Sequence, residues 1–160
     1  SSLFMTRIDD SGQDEDRARA CMMIRSIILL GNLNIIQQNN WISNLCKYVK
    51  VNGNRLVCAA ALAALAAAAA DRIDGRLLMQ SLTDTLIPNV FEVLSDELRF
   101  GAESTVVQQI CRLLVHIAVN PITADHIIRH DGLPLIEDIL RQTRAGIAAG
   151  PLYKTQDSRE

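Results

Sequence analysis

The chain has 160 residues, enough for one domain with a sizeable core, and 49 % of them are apolar while only 4 % are aromatic. A core made of Ala, Leu, Ile and Val favours helices packed on helices over a β-sandwich or barrel. The net charge of −2 argues against a nucleic-acid binder that relies on phosphate contacts. The longest apolar run, Leu56 to Ala70, is mostly alanine, too short and too weakly apolar to span a bilayer, so no membrane span is expected. No signal-peptide pattern opens the chain. Cys21, Cys46, Cys58 and Cys111 show no C-x-x-C spacing and lie within apolar helical patterns. They read as buried thiols in a reducing compartment, and the expected location is cytoplasmic.

In chain order, residues 1–10 carry no clear period and read as a flexible lead-in. Ser11 reads as the N-cap of a first helix whose opening turn holds Asp14, Glu15 and Asp16, where a helix N-terminus attracts negative charge. That helix runs to about Leu30 with Cys21, Ile24, Ile27 and Ile28 on one side. A polar bend at Gly31–Asn34 leads to a short apolar piece, Ile35-Ile36, and then to a helix from Trp41 to about Lys50. The Asn52-Gly53-Asn54 turn supplies Asn54 as the cap of a helix from Arg55 to Asp71. That segment holds ten alanines and two leucines between Ala59 and Ala70. Alanine is the best helix former, and Leu56, Leu62 and Leu65 keep a helical stripe, so a helix is expected here rather than a flexible linker. Ile73 to Leu82 reads as a short helix, Pro88 opens another through Leu94, and Ser95 to Gly101 forms a polar break.

The most informative stretch is Val106 to Leu140. Val106, Val107, Ile110, Cys111, Leu113, Leu114, Ile117 and Ala118 recur at the spacing of one helical face. Pro121 biases Asn120 away from helical geometry and is itself suited to the first position of a new helix. Asp131-Gly132 breaks that short helix, and Pro134 recurs near the start of a third. After Leu140 the apolar pattern fades, and residues 144–160 read as a mobile tail.

Set against itself, the chain repeats. Ile87-Pro88-Asn89-Val90-Phe91-Glu92-Val93-Leu94 overlays Leu133-Pro134-Leu135-Ile136-Glu137-Asp138-Ile139-Leu140, 46 residues on. The long helices overlay through Ile27–Gly31, Leu62–Ala66 and Leu114–Ala118, 35 and 52 residues apart. These spacings bracket a period of about 40 residues, that of helical repeats. Leu114-Val115-His116-Ile117-Ala118, Asn120-Pro121, Gly132-Leu133-Pro134 and Ile139-Leu140 together resemble the armadillo-repeat pattern L-S-N-I-A, loop, short helix, G-[AI]-[IL]-P and leucine-rich helix. The resemblance covers about Ala20 to Leu140, and the earlier units are also HEAT-like. It implies an all-α, right-handed α-solenoid of about three armadillo-like repeats, incomplete at both ends. The repeat domain would span residues 11–143, with units of about 11–50, 52–95 and 102–143.

In that family the third helices line a concave groove that grips an extended partner peptide, often through a ladder of Trp and Asn. Here the Asn slots hold Leu29, Ala64 and His116, and the Trp slots hold Arg25, Ala60 and Arg112. The ladder is missing, so the importin-type grip on a peptide backbone is not expected. Independently of the slots, Thr105, Gln108, Gln109, Arg112 and His116 fall at i, i+3, i+4, i+7 and i+11, one polar stripe opposite the apolar face. It reads either as a solvated helix face or as the wall of a groove. In the groove reading, His116 would make partner contact pH-sensitive if exposed.

The groove candidates are therefore Arg25, Leu29, Ala60, Ala64, Thr105, Gln108, Gln109, Arg112 and His116. The resemblance implies a non-enzymatic adaptor or scaffold that binds another protein. Its partner segment would be extended or helical, with small apolar residues and acidic groups, and the incomplete ends would offer a surface for self-association. The alternatives are a regulatory domain sensing a small molecule between repeats and a purely structural stacking segment. His126 and His130 share the i, i+4 spacing of a metal pair, yet only Asp125 and Asp131 lie near them, and surface histidines are the simpler reading. Cys111 and His116, five residues apart, point to different helix faces and make no nucleophile pair. No nucleophile elbow, zincin, P-loop or dinucleotide motif occurs, so neither catalytic residues, nor a metal, nor a cofactor is expected.

Overall fold

The structure, a computed structural model, describes residues 14–71 and 75–149. They form eight α-helices and one 3-10 turn, with no strand among the described residues: α1 (Asp14–Leu29), α2 (Leu33–Gln38), α3 (Trp41–Lys47), α4 (Arg55–Ala70), α5 (Gly75–Glu97), the turn Leu98–Phe100, α6 (Thr105–Ile117), α7 (Pro121–Arg129) and α8 (Gly132–Ala149). The described residues are all-α, as the composition favours. Ser11 and its capping role, the lead-in 1–10 and the end of the tail lie outside the described residues.

Local chemistry sets most of the boundaries. The Asn54 side-chain carbonyl accepts the Val57 N–H at 3.1 Å, so α4 begins where an Asx cap places it. Asn120 is extended, its side chain accepts the Ile122 N–H at 2.9 Å, and Pro121 opens α7. Asp131 takes a positive φ of 57° between α7 and α8. Gly132, which follows, has no room for a side chain: a Cβ there would lie 2.6 Å from the Phe91 ring and 2.8 Å from the Ile127 carbonyl oxygen. Pro134 then sits in the first turn of α8.

Three elements differ from expectation. The Ile35-Ile36 piece is a helix, α2, because Leu33 and Ile36 bury one face of a single turn. The two short helices expected at Ile73–Leu82 and Pro88–Leu94 are one helix, α5, with Pro88 inside it; Ile73 itself lies outside the described residues. Proline removes the bond to the Asp84 carbonyl, but Met79, Thr83, Leu86, Ile87, Val90 and Leu94 form a buried stripe that carries straight through. Burial of that stripe outweighs one missing bond. Finally, the chain stays helical past Leu140 to Ala149. Gln142 on this extension accepts the Ala102 N–H at 2.9 Å and donates to the Leu98 carbonyl at 3.5 Å, which ties α8 to the turn before α6.

The core is built around α4. Its residues Val57 to Ala66 are all buried, and it packs against α1 and α6, which make little contact with each other. Methyl side chains permit that close packing of backbones on both sides, and each buried methyl still contributes about 0.8 kcal/mol. Helices α2 and α3 pack beside α1 and α4, α5 packs on α4 and α6, and α7 and α8 pack on α5 and on each other. The long helices therefore follow one another as α1, α4, α6, each packed on the next.

Candidate functional site: a groove over the alanine helix

Where α1 and α6 rise on either side of α4, they leave an open groove whose floor is alanine. It contains two adjoining cavities of about 180 and 320 Å³, which share Arg25 of α1, Ala63 of α4, and Gln109 and Arg112 of α6. The smaller one also touches Leu29, Ala70 and His116; the larger reaches Met22, Leu56 and Thr105. Seven of the nine candidate residues are thus brought together: Arg25, Leu29, Ala60, Thr105, Gln109, Arg112 and His116.

Two are placed elsewhere. Ala64 is 0 % exposed and faces the interior, so it is core rather than groove floor. The floor is formed by Ala59, Ala60, Ala63, Ala66, Ala67 and Ala70, about one residue out of phase with the slot that Ala64 was given. Ala66, which the same phase would place in the core, lines the groove. Gln108 is exposed but does not line either cavity, and its side chain donates to the Glu103 carbonyl at 3.2 Å. Sequence reasoning also missed Met22, whose spacing of three from Arg25 places it on the same face of α1.

The electrostatics of the groove are one-sided. Among the described residues no acidic side chain lines either cavity. Arg17, Arg19, Arg55, Arg99, Arg129 and Arg141 each have a carboxylate within 4.0 Å. Arg25 and Arg112 have neither an ion pair nor a side-chain hydrogen bond among the described residues, and both stand in the groove.

One end of the groove is braced by a buried carboxylate. Glu97, at the end of α5, is 3 % exposed; it accepts from Arg55 Nε at 2.9 Å, pairs with the same guanidinium through Nη2, and accepts from Ser104 Oγ at 2.7 Å. Arg55 in turn lies over the Phe100 ring at 4.9 Å. This junction joins the first residue of α4 to the cap of α6, next to Leu56 and Thr105.

A second concave surface lies at the other end of the molecule. It has a volume of about 480 Å³, is bounded by α6, α7 and α8, and is lined by apolar side chains including Leu114, Val115, Ile128, Leu133, Ile136 and Leu140. Ile139, which also lines it, and Leu135 are half-buried.

The remaining chemistry is quiet. His126 and His130 stack with ring centroids 6.2 Å apart, and His126 Nε2 lies 3.4 Å from Asp84. His126 is half-buried rather than on the surface, with Nδ1 enclosed and without a partner. Among the described residues no group of three His, Cys, Asp or Glu is placed to hold a metal ion. All four thiols are free. Burial pushes Cys21 up to about 12 and Cys46 and Cys58 to about 11, and raises Cys111 as well, so none is primed as a nucleophile. No helix among the described residues is long and apolar enough to cross a membrane. Comparison with protein-family models, curated proteins and solved structures found no match, so the armadillo resemblance rests on this chain's own residues.

Proposed function

We propose that this chain is a non-enzymatic adaptor whose three long helices stack as armadillo-like layers of a right-handed solenoid and present the groove over α4 to a segment of another protein. The observation that carries this reading is the groove itself. Residues far apart in sequence, from Met22 to His116, meet along one open trough with an apolar floor and polar, cationic walls. A trough open along its length suits a peptide segment better than a small molecule, which needs most of its surface enclosed. Small apolar side chains of the partner would rest on the alanines, and its acidic groups would meet the walls. A reducing, cytoplasmic setting fits the four free thiols.

Peptide selection on the immobilised protein, scored against groove-filled variants, tests this. Selected peptides should lose binding to Ala63→Trp and to Ala70→Trp, the latter at an exposed position that tolerates bulk. If both variants fold and bind the selected peptides as well as the parent does, the groove is not the binding surface.

The trough at the α6–α8 end supports a second reading, self-association of the chain. Val115 is 67 % exposed, whereas the residues in register with it on the earlier long helices, Ile28 and Ala63, are 4 % and 8 % exposed. A second copy of this chain would supply helices of the same kind to the uncovered one.

A further inference from the structure

Among the described residues, the groove holds the two arginines that no described carboxylate neutralises. We infer that Arg25 and Arg112 form a two-sided clamp for a single anionic group, a carboxylate or a phosphate, carried by the partner segment. The inference rests on the groove reading and names what the groove recognises.

Both arginines line both cavities, one from each wall, with Gln109 beside Arg112 and alanine beneath them. Elsewhere the chain pairs its arginines locally, often with an acid three or four residues away on the same helix. On α6, the positions three and four residues to either side of Arg112 are Gln108, Gln109, Val115 and His116. On α1 the corresponding positions around Arg25 are Cys21, Met22, Ile28 and Leu29. Neither arginine has a local acid to turn to, and no carboxylate reaches in from α4, whose face is alanine. Two like charges across one cavity repel each other, and a bound anion relieves that repulsion while gaining charge-assisted hydrogen bonds from both forks.

The smaller cavity, of about 180 Å³, is large enough to admit a carboxylate or a phosphate. His116 lines the same cavity and adds a third donor, and Leu29 and Ala70 border it with apolar surface. The anion therefore sits at one defined place on the partner, with small side chains around it so that the backbone can approach the alanine floor.

Three fluorescent peptides serve as probes: Gly-Ala-Ala-X-Ala-Ala-Gly with X as Glu, phosphoserine or Gln, followed by anisotropy at low ionic strength. The Glu and phosphoserine peptides should bind saturably and the Gln peptide at least about tenfold more weakly. Phosphoserine tighter than Glu identifies phosphate as the preferred source of the anion; equal or weaker binding identifies carboxylate. Arg25→Gln and Arg112→Gln should each weaken the better acidic peptide about tenfold or more. The double variant should lose much less than the product of the two, because both act on one shared anion. Arg129→Gln, outside the groove, should change nothing.

Additive losses would overturn the shared clamp, since they mean two independent contacts. Equal affinity for all three peptides, or no saturable binding of either acidic one, would overturn it too. If Ala70→Trp blocks selected peptides while the arginine variants bind them normally, the clamp falls and the groove reading stands. If Ala70→Trp and Ala63→Trp are both without effect, the groove reading falls first.

Discussion

Ala63 and Ala64 are chemically identical neighbours, yet one lines the groove and the other is sealed in the core. That distinction could not be read from the sequence. A helix with alanine on every face carries no apolar stripe to fix its rotation, so the slot assignment from the flanking helices was about one residue out of phase. The polar stripe of α6 was legible because it is amphipathic: Thr105, Gln109, Arg112 and His116 all reach the groove. Ala64→Arg should therefore unfold the protein, at a cost of about 4 kcal/mol or more, because an arginine has neither space nor a partner there. Ala70→Arg, on the exposed last turn of α4, should stay within about 0.5 kcal/mol of the parent, and thermal denaturation of the two variants checks both claims. The thiols allow a second check at this scale. Unfolded cysteines ionise near 9, whereas Cys21, Cys46 and Cys58 in the fold ionise at about 11 to 12. Above pH 9 the unfolded chain loses protons that the folded chain keeps, so stability should be intact below pH 9 and decline as pH rises through about 11. A melting temperature that stays flat or climbs from pH 8.5 to 10.5 would contradict this, as would rapid alkylation of Cys21 in the native protein at pH 8.

Among the elements, the stops and starts written in side-chain chemistry were legible and those set by tertiary packing were not. Asn54, Asn120-Pro121 and Asp131-Gly132 mark real boundaries because each acts on the backbone within a few residues. Pro88 looked like another start and is not one, since the buried stripe from Met79 to Leu94 holds α5 together across it. Likewise α8 continues past Leu140 because Gln142 finds a partner in Ala102, 40 residues back in the chain. The elements around the groove are joined in the same long-range way. Glu97 links α5 to Arg55 and Ser104, so it fixes where α4 and α6 begin relative to each other. Glu97→Ala leaves Ser104 and a largely exposed Arg55 without their acceptor, and should cost about 2 to 3 kcal/mol in denaturant unfolding. It should also weaken peptide binding, because the end of the groove at Leu56 and Thr105 loses its brace. Unchanged stability in Glu97→Ala would mean that water replaces the carboxylate and that packing alone sets the junction.

Across the whole molecule, cover is uneven, and the imbalance follows from the order in which the long helices pack. Among the described residues α4 packs against both α1 and α6, whereas α1 and α6 make little contact with each other. Backbone amides of α4 should then exchange slowest, near the rate set by global unfolding, and those of α7 and α8 fastest, through openings that expose less surface. Within α8 the segment Leu135–Leu140 is the sharpest case, because Leu135, Ile136 and Ile139 are only half-buried and Leu140 is 53 % exposed. Self-association would reverse that ranking at high protein concentration, since a second copy covering the trough shields the same residues. The two effects separate with Val115→Glu. Val115 is exposed and bears on the trough, so the charge should change monomer stability by no more than about 0.5 kcal/mol. It should also abolish any concentration-dependent rise in sedimentation coefficient, because docking a copy would bury an unpaired carboxylate against Leu114, Ile128 and Leu140. If the parent sediments as a monomer at every concentration and Leu135–Leu140 is nonetheless as protected as α4, the trough is not a weak or docking surface, and α8 must be held by contacts stronger than those that bury its inner face.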